Sequence, residues 1–307
     1  MAGFFCRYKM QYAKPVLSVA DSVVRLKNKG LVVANDADAE RFLRAVGYFR
    51  FRGYALPFMQ QAPVGFLYGN RQFKPGTTFD DIRQIYEFDR ALRSLVMEQI
   101  DRIEVAVRTA ILQELNTHFG THWYLDFTKV VFKNASDQAK WFGEVAREVQ
   151  RSEKQKFIAH YHAKYTNPRL PPSWAVAECL SFGKWSTLYK ELAHGKSAIA
   201  NMFGLSAPVL ESWLHSLNNL RNACAHHGRI WNRSLPFDPQ SHPRYSAHFA
   251  HPSRFYSRAA VIRIMTTAID GNPFFSDGLR YLFHSYPMIN PAQMGFGQGW
   301  DRDQLWV

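Results

Sequence analysis

The sequence predicts an all-α fold on three observations. Over residues 78–117 the apolar residues Ile82, Ile85, Leu92, Leu95, Ile103, Val107 and Ile111 recur at helical spacing, the longest periodic run in the chain. A second helix over about 207–227 carries its own start and stop signals, Ser206, Pro208 and Gly228. Short amphipathic runs before them are closed by Gly30 and Gly47. With 307 residues, 47% of them apolar, the chain is long enough for a substantial core. It divides into an N-terminal helical region (1–76), a helical core (77–235), and a C-terminal loop, helix and tail packing on that core (236–307).

The net charge of +13 calls for an anionic partner, nucleic acid first and a membrane surface second. Cys6, Cys179 and Cys224 are far apart and form no CxxC pair, which points to a reducing compartment and no zinc knuckle. The first residues lack a long apolar stretch and no apolar run approaches the length of a membrane span, so a soluble cytoplasmic protein is expected.

Taken in order, residues 18–28 give an amphipathic helix with Val19, Val23, Val24 and Leu26 along it, and a second begins near Asp36 and turns Phe42, Leu43 and Val46 inward. Two short helices joined by a turn are a common packing unit and also the form of a DNA-reading helix-turn-helix. Residues 48–58 interleave Arg50 and Arg52 with Tyr48, Phe49, Phe51 and Tyr54, as a strand or turn with its aromatics in the core, or as an RNA contact through the arginines. A connection rich in Pro63, Gly65, Gly69, Pro75 and Gly76 leads to Thr78, which with Asp81 forms a capping box for the long helix. That helix carries the pairs Glu98 with Arg102 and Glu104 with Arg108, either a solvated face or, through Arg102 or Arg108, one wall of an RNA cleft.

Ser136 is expected to cap one helix running toward Tyr165 with a modest basic excess; His160 and His162, two apart, diverge on a helix and make a poor metal pair. Residues 173–192 read as a helix interrupted near Gly183, with Glu178 either anchoring Arg221 or facing water. Beyond Arg233 come a Pro- and His-rich loop, a helix over about 254–269, and a tail. The loop's His242, His248 and His251 lack metal-ligand spacing, and no metal or cofactor is expected.

The segment 206–233, SAPVLESWLHSLNNLRNACAHHGRIWNR, concentrates the chemistry. Leu210, Trp213, Leu217, Leu220 and Cys224 fall on one apolar face, and His215, Asn219, Asn222, His226 and Arg229 form a polar stripe on the other. An ordinary surface helix favours Glu, Lys, Gln and Ala, because Asn and His are poor helix formers. Arg221 stands about 140° around the helix from His226. It reaches the stripe by its length, or from a second copy of the helix in a two-fold dimer.

Arg221, Asn222 and His226 spell R-N-x-x-x-H, and in this the chain resembles the HEPN ribonucleases. The run LRNACAHHGRIWNR is similar to the signature of the Abi family of abortive infection proteins, of the AbiD and AbiF type. The blocks KPVLSVADSVVRLKNKGL, AVGYFRFRGYALPF, TFDDIRQIYEFDRALRSLVMEQIDRIEVAVRT and PPSWAVAECLSFGKWSTLYKEL extend the resemblance from about Lys14 to Trp300. Gly228 departs from it, standing where the family more often has a small polar residue.

The resemblance implies a HEPN-type helical bundle with a smaller N-terminal helical region, and a metal-independent endoribonuclease used in phage defence by abortive infection. It also implies a homodimer through the motif helices, and a toxin restrained by a partner such as a structured non-coding RNA. RNA cleavage through the 2′-OH needs proton transfers and positive charge on the phosphorane. His226 is then expected as general acid or base, Arg221 as the stabilising cation and Asn222 as an orienting group, with His227 and Arg229 as phosphate contacts. His215 and Asn219 support the same stripe, and Arg50, Arg52, Arg102 and Arg108 are candidate RNA contacts. The rival readings are a non-catalytic RNA-binding protein or regulator using the same cleft, a DNA-binding regulator, and a structural role in which Arg221 is a buried ion-pair partner and the two histidines cap the helix.

Overall fold

The computed structural model describes residues 16–61, 71–130, 132 and 134–307. Cys6, Lys14 and the connection's Pro63, Gly65 and Gly69 lie outside the described residues. Within them every regular element is a helix, so the fold is all-α, with only isolated bridges such as Val32 with Thr78 in extended pairing. The chain forms two compact units, Met1–Phe88 and Asp89–Val307.

The first unit contains α1 (Val19–Lys27), α2 (Asp36–Val46), α3 (Tyr48–Ala55) and the opening turns of α4 (Phe79–Phe119). Local signals set these boundaries. Ser18 Oγ accepts from the Asp21 amide at 3.0 Å, and Thr78 and Asp81 exchange the two bonds of the expected capping box at 2.8 and 3.1 Å. The strand or turn expected over 48–58 is instead helical through Ala55. Phe51 and Tyr54, three apart, are the buried pair: Phe51 stacks on Phe79 at 4.5 Å and Tyr54 meets Tyr86 edge-on at 5.4 Å. The alternation of arginine and aromatic residues hid that helical spacing.

The second unit holds the rest of α4, then α5 (Ala135–Arg151), α6 (Lys156–Lys164), α7 (Ser173–Ala177), α8 (Phe182–Glu191), α9 (Lys196–Asn201), α10 (Ala207–Ala225), α11 (Phe255–Asp270) and α12 (Phe274–Ser285). Three expectations need correction here. The single helix from Ser136 is two, α5 and α6, and its cap is Asn134, whose side chain accepts from the Asp137 amide at 2.8 Å. The break near Gly183 falls earlier, between α7 and α8, and Gly183 is inside α8, where a Cβ would stand 3.1 Å from Asn218 Oδ1. Close packing of α8 on α10, not helix breaking, is what that glycine serves.

The third correction is α12, which lies in the stretch expected as tail. Phe275, Leu279 and Leu282 form its buried stripe, and Gly278 lets it approach α4, since a Cβ there would lie 2.7 Å from Leu95 Cδ1. Of the helix pairs expected on α4, Glu104 with Arg108 keeps its electrostatic interaction, and both arginines gain partners outside those pairs. Arg102 is ion-paired with Asp270 and bonds Gln99 Oε1 at 3.0 Å, while Arg108 pairs with Glu178 at 3.2 Å. Arg102 takes Asp270 rather than Glu98, since an exposed i,i+4 pair is worth only a few tenths of a kcal/mol.

Candidate functional site

Helix α10 is the central element of the site. Leu210, Trp213, Leu217, Leu220 and Cys224 are all buried, as their spacing predicts, and α10 packs against α8, α9 and α11. Burial of each large apolar side chain contributes about 1.5–3 kcal/mol, which fixes the rotation of the helix and so the direction of its other face. On that face His215 and His226 are exposed and Asn219, Asn222 and Arg229 half-buried.

The helix ends sooner than its sequence predicts, at Ala225, with His226 as the cap. The left-handed residue is His227, with φ +56°, rather than Gly228. The His227 amide donates to Cys224 O at 2.9 Å and the Gly228 amide to Ala223 O at 2.7 Å, the pair of bonds that closes a Schellman turn. Gly228 is needed for the tight return, because a Cβ there would stand 3.0 Å from Ala223 O. Holding a histidine in the left-handed region costs about 1–2 kcal/mol that glycine would not incur.

The chain leaving this turn is held from beneath. Asp89 of α4, wholly buried, accepts the amides of Ile230 at 3.1 Å and Trp231 at 2.7 Å on one carboxylate oxygen, and its other oxygen is ion-paired with buried Arg93. The same carboxylate acts on Cys224, whose thiol is pushed up to about 12, chiefly by burial, and is inert as a nucleophile. The sequence did carry a signal for Asp89: a charged residue four after Ile85 and three before Leu92, in the buried register of α4, followed at i+4 by an arginine.

Arg221 is half-buried, and its Nη1 donates to Asn222 Oδ1 at 3.4 Å. Its charge acts on Glu104 of α4. Burial raises the Glu104 carboxyl above its ordinary range, while Arg221 and Arg108 both pull it back down. Both guanidiniums therefore act electrostatically on one carboxylate, and Arg108 itself bonds Glu178 and Ala177 O. Glu178 thus anchors Arg108, not Arg221. Among the described residues the His226 ring makes no hydrogen bond, so its imidazole faces solvent beside this cluster's helix.

The remaining candidates lie elsewhere. His215 meets the Phe237 ring edge-on at 4.3 Å and lines a separate cavity with Lys190, Lys196 and Glu211. Arg102 is committed to Asp270. Arg50 and Arg52 belong to α3 in the first unit, where Arg52 lies over the Tyr48 ring at 5.9 Å. Of the loop histidines, His248 is buried between Tyr256 and Asp303, and His242 accepts from the Arg244 amide. Among the described residues no group of three or more His, Cys, Asp or Glu side chains converges as a metal-ligand set, and no helix is long and apolar enough to cross a membrane.

No curated protein and no solved structure matches the chain. The sequence pattern of the Abi-like proteins matches residues 41–232, a span that begins in α2, takes in α4 and the whole of α10, and ends just past the two amides that Asp89 holds. That is well over half the chain and includes every residue of the motif turn, and the chain belongs to the Abi-like protein family.

Proposed function

We propose that this protein is a metal-independent endoribonuclease of the HEPN type, of the AbiD and AbiF kind, acting in phage defence by abortive infection. Family membership supports the defence role. The observation that carries the chemistry is the state of the motif residues: Arg221 is half-buried beside Asn222, whereas His226 is exposed at the helix end with no intramolecular bond among the described residues. His226 caps the helix through its backbone amide, which leaves the ring itself unengaged.

In the proposed reaction a base removes the proton of the RNA 2′-OH, the O2′–P bond forms, the P–O5′ bond breaks, and an acid protonates the leaving 5′ oxygen. His226 carries one of these two transfers. Arg221 and Arg108 supply charge to the phosphorane, with Asn222 fixing the Arg221 fork. The products are a 2′,3′-cyclic phosphate and a 5′-hydroxyl. A homodimer joined through α10 would supply a second His226 for the other transfer, and a structured RNA would restrain the toxin by occupying the same surface.

The test is incubation with labelled single-stranded and structured RNAs in EDTA, beside His226→Ala and Arg221→Ala. Cleavage with cyclic phosphate ends, reduced about 10²–10⁴-fold in the histidine variant, is the expected outcome. Tight RNA binding without cleavage, unchanged in His226→Ala, would replace this reading with that of a non-catalytic RNA-binding regulator.

A further inference from the structure

A cavity of about 960 Å³ opens between α6, α7 and the segment following α4, within the size range of small-ligand sites. Three of the protein's exposed large apolar side chains line it: Trp174, Tyr165 and Phe157, at 52%, 46% and 39% exposure. Leaving such rings in water is unfavourable unless something covers them. Tyr161 forms part of the wall, its ring 5.2 Å from that of Tyr165.

The polar groups are few and specific. His122 lines the cavity with a buried Nε2 that has no hydrogen-bond partner, while its Nδ1 is shared with Thr121 Oγ1 at 3.0 Å. Glu178 presents a carboxylate and Lys156 an ammonium. Glu178 is the residue that holds Arg108, so the cavity abuts the arginine cluster beside the R-N-x-x-x-H motif.

We propose that this cavity is a nucleobase subsite in which bases flanking the scissile phosphate stack on Trp174 and Tyr165. Base N–H groups donate to Glu178. The proposal rests on the RNA reading of the motif. Flat aromatic walls match the π-faces of bases, and the net charge of +13 attracts the strand that brings the base in. The same base chemistry comes from an RNA strand or from a free nucleotide.

The experiment is fluorescence anisotropy of a labelled 2′-O-methyl oligonucleotide, which lacks the attacking hydroxyl, with the full chain, Trp174→Ala, Trp174→Ala/Tyr165→Ala and Trp174→Phe. The expected result is binding weakened about tenfold in Trp174→Ala, weakened further in the double variant and largely restored in Trp174→Phe, with melting temperatures unchanged because both rings are exposed. Competition by unlabelled oligonucleotide at far lower nucleotide concentration than AMP or GMP assigns the site to a strand; equal competition assigns it to a free nucleotide. Equal binding of an abasic oligomer, or affinity indifferent to all three variants, overturns the subsite. Binding through Trp174 with no cleavage of natural RNA would leave the subsite standing and remove the ribonuclease reading. Cleavage with binding indifferent to the variants would do the reverse.

Discussion

His227 occupies a backbone position at φ +56° that glycine would take without steric cost, immediately before a glycine that the turn also needs. A glycine would stabilise this helix end more, so the histidine at 227 holds local strain at the turn where the function is proposed. His227→Gly is expected to raise stability by up to about 1 kcal/mol in urea unfolding, part of the relieved strain being offset by glycine's larger unfolded-state entropy, while weakening RNA binding. Gly228→Ala is expected to act in the opposite direction, because its methyl would press on Ala223 O at 3.0 Å. A stability loss in His227→Gly would mean that the imidazole's own contacts outweigh the backbone term.

At the scale of elements, α4 acts on the motif turn through one carboxylate. Asp89 satisfies two backbone amides and a buried arginine at once, and its removal leaves all three uncompensated in a dry environment. Asp89→Ala is expected to cost about 3–5 kcal/mol, read as a large fall in melting temperature. Asp89→Asn, which keeps an acceptor for the amides, should recover part of that loss but not the charge on Arg93. An Asp89→Ala protein as stable as wild type would show that the turn is held by packing of Ile230 and Trp231 alone.

At the scale of the whole molecule, the C-terminal segment closes the second unit. Arg258, almost wholly buried, donates to the carbonyls of Leu235, Pro236 and Phe237, and Arg263 donates to Leu305 O and Asn272 O, so the chain after the motif and the chain end are both tied to α11. Trp306 is fully buried and its indole donates to Tyr256 Oη at 3.2 Å. His248 sits in this cluster, and burial holds its ring below the ordinary imidazole value despite Asp303 at 3.6 Å. Since the folded value is depressed, its stability contribution is complete above the unfolded value and is lost as pH falls through the folded one. Melting temperature is therefore expected to drop between pH 7.5 and pH 5, and the drop to shrink in His248→Gln. An unchanged pH slope would place that sensitivity in the carboxylates.

Caps, glycine stops and apolar periodicity are properties of neighbouring residues, and they determined α1, α2, the start of α4, the buried face of α10 and the all-α class. The motif's candidates were legible for the same reason, since Arg221, Asn222 and His226 lie within two helical turns. Where two local signals competed, the text was ambiguous: arginine alternation masked α3, an unbroken basic run hid the break between α5 and α6, and Gly278 concealed α12. Tertiary structure alone decided that Glu178 holds Arg108, that Arg221 acts on Glu104, and that Asp89 seats the turn from 141 residues away. Those pairings depend on which helix faces fold against one another. Spacing along one helix carries no record of the partner that burial brings to it.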